Sequence, residues 1–414
     1  MGHPSLRVAV VIGTRPESIK MMPVIDALKA QADQLETIVI ATAQHRQMLD
    51  QVLSLFHITP DIDLDLMRPQ QTLADLTARV LHMMDVTLRD LRPALLLVQG
   101  DTTTVLAASL AAFYLKIPVG HIEAGLRSHN IYNPFPEEAN RCLTSQLTAM
   151  HFAPTPLARQ TLLHAGIPHD KIVVTGNTVV DTLQALLRKP FTFHNSPLAH
   201  IPFDNHRVVL VTSHRRESWG QELHNICLAL QELVERFSDV LVVYPVHLNP
   251  HVRQTVMSVL GGTERICLTE PLDYCTFLNL MARAHVILTD SGGIQEEAPT
   301  LHKPLLVLRQ LTERPEAFHA GLAKVVGTSR AAIVAEASRL LTDPEAYRAM
   351  SCGTNPYGDG CASERIAEVI CRWARGDSPL LAPEAEFNPF EERDPLGDPV
   401  RTIGLTTHVT AALV

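Results

Sequence analysis

The sequence lacks a surplus of positive charge: 35 Lys and Arg stand against 44 Asp and Glu, a net charge of −9. That argues against a nucleic-acid binder, which carries a basic surplus, yet leaves room for a local basic pocket around a small anion. Paired cysteines are lacking too. Cys142, Cys227, Cys267, Cys275, Cys352, Cys361 and Cys371 form no CxxC and are odd in number. Reduced thiols in a cytoplasm are therefore expected. No stretch approaches the roughly 18 apolar residues of a membrane span. The short apolar run Val8–Ile12 is interrupted at once by Gly13 and Arg15, unlike a signal peptide. The 20 histidines show no HExxH or other zinc spacing, so no metal site is expected.

What is present is a regular alternation of strands and helices. The 414 residues suggest two or three domains at about 150 residues each. Short apolar runs predict strands at 6–12, 37–41, 95–98, 119–122, 151–153 and 172–175. Helical periods fall between them, including 48–56, 73–91, 104–115, 137–147 and 156–165. Residues 188–206, rich in Pro, Asn and aromatics, break the pattern and read as a linker. A second series then begins, with strands at 208–212, 240–244, 266–268, 286–289 and 305–308. The expected fold is α/β, with two parallel-sheet, Rossmann-type domains, residues 1–187 and 188–362. A last helix, 363–375, is expected to pack back on the first domain. The Pro- and acid-rich extension 376–414 is expected to pack poorly.

Three loops at strand ends are rich in cations or glycine. Gly13-Thr14-Arg15-Pro16-Glu17 leads into a helix that carries Lys20 one turn on. A Gly turn at a helix start offers backbone N–H groups to an anion, and Arg15 adds a fork of donors suited to phosphate. A plain strand–turn–helix with a solvated arginine would look the same. Ser213-His214-Arg215-Arg216 holds the same place in the second series, and could equally be a surface charge run. Asp290-Ser291-Gly292-Gly293 precedes Glu296 and Glu297; paired glycines let a phosphate approach the backbone, and Glu297 can bind ribose hydroxyls. Arg314, after the next strand, can close over the same ligand. Such loops in both halves would hold a diphosphate between two domains.

Three carboxylates frame this arrangement. Asp101 and Glu123 each follow a buried strand, and Glu137 opens a helix after a Pro- and Asn-rich loop. Strand ends are where open α/β sheets keep their sites. Carboxylates do the acid–base chemistry of sugars. A two-domain enzyme acting on a nucleotide-sugar is the reading these residues support.

The segments GTRPE, TAQHRQMLDQVL, GDTTT, HIEAGLR, PFPEEANR, GNTVVD, HRRES, YPVHLNP, TDSGGIQEEAP, TERPEA and NPYGDG occur in order between about Arg7 and Arg375. In this the chain resembles the non-hydrolysing UDP-N-acetylglucosamine 2-epimerases of bacteria. The resemblance implies a GT-B-like fold with an interdomain cleft, a homodimer, and interconversion of UDP-N-acetylglucosamine and UDP-N-acetylmannosamine without metal or nicotinamide cofactor. It implies catalytic roles for Asp101, Glu123, Glu137 and His214, and substrate binding by Arg15, Lys20, Phe277, Ser291, Gly292, Gly293, Glu297 and Arg314. Phe277 would lie near the uracil. A second UDP-N-acetylglucosamine would act as activator at Gln44, Gln47, Glu137, Arg215 and His247. Two departures stand out: Leu272 where some relatives have a uracil-contacting Gln, and Gln70 where others have an activator-binding Arg.

The implied chemistry is elimination of UDP across C1–C2 to 2-acetamidoglucal, followed by re-addition with the proton on the opposite face. The product would supply N-acetylmannosamine units for surface polysaccharide. Four other readings remain: a hydrolysing epimerase releasing N-acetylmannosamine, a GT-B glycosyltransferase, a nucleotide-sugar sensor without turnover, and an epimerase of a related diacetamido uronic acid. The glycosyltransferase would not explain three acids in GDTTT, HIEAGLR and PEEANR.

Overall fold

A computed structural model describes residues 5–42, 53, 55–56, 58–68, 71–215, 219–310, 312 and 314–390. Two parallel sheets organise them. The first has seven strands: β1 (Leu6–Ile12), β2 (Leu35–Ala41), β3 (Ile62–Asp63), β4 (Leu95–Gln99), β5 (Val119–Ile122), β6 (Met150–Ala153) and β7 (Ile172–Val174). Their spatial order is β3-β2-β1-β4-β5-β6-β7. The second has six: β8 (Arg207–Thr212), β9 (Val240–Pro245), β10 (Ile266–Thr269), β11 (Val286–Thr289), β12 (Leu305–Val307) and β13 (Ala323–Val325). Their order is β10-β9-β8-β11-β12-β13. The architecture is the GT-B-like pairing of two Rossmann-type sheets.

The order reverses between β1 and β4 in one sheet and between β8 and β11 in the other. Those are the switch points at which crevices open beyond the strands' carboxyl ends. Register is in phase there, with Val8 beside Leu95 and Val209 beside Val286. The strands read as unbroken apolar runs because helices cover both sheet faces. β3 and β13, two edge strands of two and three residues, are too short to leave a pattern in the sequence. The expected helix 48–56 falls largely outside the described residues.

Helix starts follow from capping side chains. Thr14 caps Arg15–Lys29 in a reciprocal box with Glu17. Thr102 caps Thr103–Tyr114, Asn177 caps Thr178–Leu187 and Asp273 caps Tyr274–Arg283. One buried apolar cluster runs through both halves. It takes in Val10 and Ile12 of β1, Val179 and Leu183, Leu278 and Met281, and Leu210 and Ile287 of the second sheet. The halves are therefore joined by a dry contact as well as by polar groups. The helix Ala362–Arg375 lies on Arg15–Lys29 and Thr178–Leu187.

Of the extension expected to pack poorly, residues 376–390 are described, and they are held at a few anchor points. Leu381 and Phe387 are buried. Phe387 N–H donates to the Val174 carbonyl of β7 at 2.8 Å, and Arg365 donates to the Ala385 carbonyl at 2.8 Å. The segment runs through bends and a short 3-10 turn at Pro383–Ala385 with single anchor residues, so it leaves no helical or strand period to detect. Residues 391–414 lie outside the described residues.

Candidate functional site

At the first switch point, the Gly13 loop differs from its expected use. Glu17 Oε2 accepts the N–H groups of Gly13 (2.7 Å) and Thr14 (3.0 Å), while Oε1 accepts Thr102 Oγ1 (2.6 Å). The backbone donors that the sequence offers to an anion are taken by the helix's own first-turn carboxylate. Burial raises the Glu17 pKa against these hydrogen bonds. Gly13 is required sterically, since a Cβ there would sit 2.8 Å from Thr42 Oγ1. Arg15, half-buried, remains as the loop's cation. Its charge acts on Tyr274 and Glu297 of the other half.

The three carboxylates have three different environments. Asp101 Oδ2 accepts Arg141 Nε at 2.9 Å and Nη2 at 2.6 Å. Arg141 is itself braced by Glu138 at 3.1 Å, and Glu138 accepts the N–H groups of Ser128 and His129 at 3.0 and 3.1 Å. Asp101 thus stands on a chain of charge-assisted bonds that ties two loops together. Glu123 has φ of 65°, a left-handed conformation that costs a non-glycine residue energy and that clusters at functional sites. Its Oε2 accepts Lys20 Nζ and, at 2.9 Å, Gln99 Nε2. Burial raises the Glu123 pKa, with Lys20 opposing. Glu137 opens the helix Glu137–Leu147, and its Oε2 is buried with no hydrogen-bond partner among the described residues.

Across the cleft, Asp290 organises the loop after β8. Its Oδ2 accepts His214 N at 2.8 Å, Arg215 N at 2.9 Å and Ser213 Oγ at 3.0 Å; Oδ1 lies 3.2 Å from His214 Nδ1. Burial pushes the Asp290 pKa up, but the bonds and charge of His214 outweigh it and the net shift is downward. With Nδ1 held on Asp290, Nε2 is the ring nitrogen left for a ligand. The His214 ring stacks on His247 with centroids 5.7 Å apart.

Ser291-Gly292-Gly293 follows β11 as expected. A Cβ at Gly293 would meet only Ser291 Oγ, at 4.0 Å, so the backbone there is open to close approach. Glu297 is half-buried and accepts Tyr274 OH at 3.3 Å. Burial pushes its pKa up to about 7, Lys20 opposing and Glu296 adding to the rise. Phe277 is half-buried against the main apolar cluster, and Leu272 is buried in it.

Glu296 is the residue that sequence reasoning missed. Its Oε2 accepts Lys20 Nζ at 2.9 Å and Asn177 Nδ2 at 3.2 Å; its Oε1 accepts Arg314 Nε. Lys20 and Asn177 belong to the first half, Glu296 and Arg314 to the second. Burial works to raise the Glu296 pKa, but Lys20 and Arg314 bring it down to about 2. The adjacent acids in Gln-Glu-Glu gave no sign of which one turned inward. Arg141, Asp290 and Glu17 were likewise unassigned, and only their places near strand or helix ends hinted at them.

The structure therefore gathers Arg15, Lys20, Asp101, Glu123, Glu296, Glu297 and Arg314 along the facing edges of two sheets. Beside them lies a cavity of about 520 Å³, lined from both halves by Arg127, His129, Asn130, Arg215, Arg309 and Glu316 among others. Gln44, Gln47 and Gln70 lie outside the described residues.

With this geometry in hand, comparison with known proteins is decisive. The family profile described as UDP-N-acetylglucosamine 2-epimerase matches residues 26–371. The chain belongs to the UDP-N-acetylglucosamine 2-epimerase family. It is 53% identical over 369 residues to a probable UDP-N-acetylglucosamine 2-epimerase of Ralstonia nicotianae, covering 88% of this chain and 98% of that one. It is 50% identical over 378 residues to the UDP-N-acetylglucosamine 2-epimerase of Salmonella typhimurium, with the same coverages. Among solved structures, the Neisseria meningitidis UDP-GlcNAc 2-epimerase bound to UDP-GlcNAc superposes with a TM-score of 0.82. It is 48% identical, covering 89% of this chain and all of that one. The epimerase family thus accounts for the sheet order. Among the described residues, no helix is long and apolar enough to cross a membrane.

Proposed function

We propose that this chain interconverts UDP-N-acetylglucosamine and UDP-N-acetylmannosamine by elimination and re-addition of UDP, without hydrolysis. The observation that carries this reading is the pairing of two unlike carboxylates at adjacent strand ends. Asp101 is held by Arg141, and Glu123 has its pKa raised by burial while touching Lys20. One group removes the C2 proton, the C1–O bond to UDP breaks, and a C1=C2 double bond forms. UDP then re-adds at C1 as a proton arrives at the other face of C2. The C2 hydrogen is not next to a carbonyl, so expulsion of UDP must accompany its loss. Charge developing on the departing phosphate would meet Arg15, His214 and the Ser291–Gly293 backbone, each such contact contributing about 3–4 kcal/mol. Glu297 takes the ribose hydroxyls, Phe277 lies near the uracil, and Arg314 is a further substrate contact closing over the same ligand. Glu137, with a buried oxygen that has no hydrogen-bond partner among the described residues, is the third acid of the set.

Residues 1–187 and 188–362 are the two halves that close on the substrate and keep water from the glucal. The family resemblance supports a homodimer and a role in making N-acetylmannosamine units for surface polysaccharide; seven unpaired thiols support a cytoplasmic setting. It also supports a second UDP-N-acetylglucosamine acting as activator on Gln44, Gln47, Glu137, Arg215 and His247. The stacking of His247 on His214 supports a link between that ligand and the diphosphate side of the active site.

The test is incubation with UDP-N-acetylglucosamine in D2O, without metal, followed by NMR. UDP-N-acetylmannosamine carrying deuterium at C2, with label also entering the starting epimer, is the expected result. Free N-acetylmannosamine as main product would establish a hydrolysing enzyme, and turnover without label at C2 would rule out elimination. Replacing Asp101, Glu123 or Glu137 by its amide should lower turnover by at least about 10²-fold. Near-normal rates in all three would remove them from the mechanism.

A further inference from the structure

Lys20 is shared by two carboxylates of opposite origin. Glu123, from the first half, and Glu296, from the second, both accept its Nζ. The sharing is unequal in what surrounds each acid. Glu296 is almost wholly buried, with a side chain 1% exposed, and holds Arg314 and Asn177 besides Lys20. Among the described residues, Glu123 accepts hydrogen bonds from Lys20 and Gln99 alone. The charged groups facing Glu123 are Lys20 from the helix Arg15–Lys29, Glu296 from the helix Gly292–Glu297, and Arg314 from the segment before Pro315.

An acid–base carboxylate has to change charge during each turnover. When Glu123 is protonated, its attraction for Lys20 falls, and a flexible ammonium with no second anchor would swing away. A second carboxylate that stays ionised would keep the ammonium in place through both states. We propose that Glu296 is a positioning residue for the epimerisation, holding Lys20 against Glu123 whatever the protonation state of Glu123. The proposal rests on the reading of Glu123 as an acid–base group. Because Glu296 comes from the other half, this support exists only when the two halves are seated together. Chemistry at C2 is thereby tied to the interdomain contact.

Glu296 also acts on Glu123 through space. Its negative charge raises the proton affinity of Glu123. Removing that charge should move the Glu123 titration to lower pH, an effect that a purely structural contact would not produce.

The experiment compares kcat, KM and the pH profile of kcat for the parent enzyme, Glu296→Gln and Asn177→Ser, with UDP-N-acetylglucosamine as substrate. Glu123→Asp identifies the limb that belongs to Glu123. For Glu296→Gln the expected result is a fall in kcat of about tenfold or more, with KM changed less than about threefold and the Glu123 limb shifted to acid. A limb that stays in place overturns the proposal. So does a kcat within about twofold of the parent. If Glu296→Gln does not fold, Asn177→Ser decides. Serine still caps the helix Thr178–Leu187 but withdraws the amide from Glu296. A kcat reduced about threefold at unchanged KM supports the proposal, and a parent-like kcat overturns it. A parent enzyme that exchanges no C2 hydrogen would defeat the epimerase reading itself. A parent that turns over beside an unaffected Glu296→Gln defeats only this inference.

Discussion

Glu297 keeps its proton almost to neutral pH, because burial penalises its charge more than Lys20 relieves it. In the proposed role of Glu297, ribose hydroxyls donate to a carboxylate better than to a carboxylic acid, so binding of UDP would drive the proton off. With a free-state pKa of about 7, affinity should fall about tenfold from pH 8 to pH 6. Titration calorimetry across that range, in buffers of different ionisation heat, would show the proton released below pH 7. Glu297→Gln should flatten the profile. A steep profile in the variant would assign the proton to another group. The Gly13 loop teaches the opposite lesson at this scale. A motif that matches an anion-binding turn is occupied by Glu17, so composition of a loop does not reveal which of its donors are free.

Asp181 shows how one side chain joins two elements. It lies in the first turn of Thr178–Leu187 and accepts Ser363 N–H at 2.7 Å, satisfying the start of Ala362–Arg375 from outside that helix. Among the described residues, its other oxygen is buried without a hydrogen-bond partner. Burial therefore raises its pKa to about 6, against the Ser363 bonds. The folded value lies above the unfolded value of about 3.8. The protonated form is thus favoured by folding, and that contribution is present below the unfolded value and lost as pH rises through about 6. Asp181→Asn keeps an acceptor for Ser363 without titrating. Relative to the parent, the variant should gain stability between pH 4 and pH 7, by up to about 3 kcal/mol. Urea denaturation at the two pH values measures this. A constant difference would mean that Asp181 stays ionised in the fold.

For the whole molecule, the question is whether two Rossmann-type halves behave as one unit. The apolar cluster shared by β1, β8 and β11, together with the Lys20–Glu296 pair, argues that they unfold together. The two tryptophans sit conveniently apart. Trp219 packs on the second half's own cluster, and Trp373, on the last helix, packs on the shared one. Trp219→Phe and Trp373→Phe each leave one fluorescent reporter. Their denaturation midpoints should coincide, and midpoints that separate would show that the halves unfold independently.

Much of this molecule was legible without coordinates. Eleven strand positions followed from apolar runs, because parallel strands covered on both faces must be apolar along their whole length. The turn from Gly13 into the first helix was legible in the sequence, and the places of Asp101, Glu123 and Ser291 followed from the rule that sites gather beyond strand ends. Ordered motifs along the chain identified the family. The rest depended on contacts between residues far apart in sequence. That Arg141 grips Asp101, that Asp290 faces His214 and that Phe387 anchors an apparently formless segment depended on folding within one half, and that Glu296 shares Lys20 with Glu123 required the two sheets to be brought face to face. Local patterns record which residues can form a strand or cap a helix. The partner of a buried charge is chosen by the packing that excludes water around it, and no stretch of sequence contains that choice.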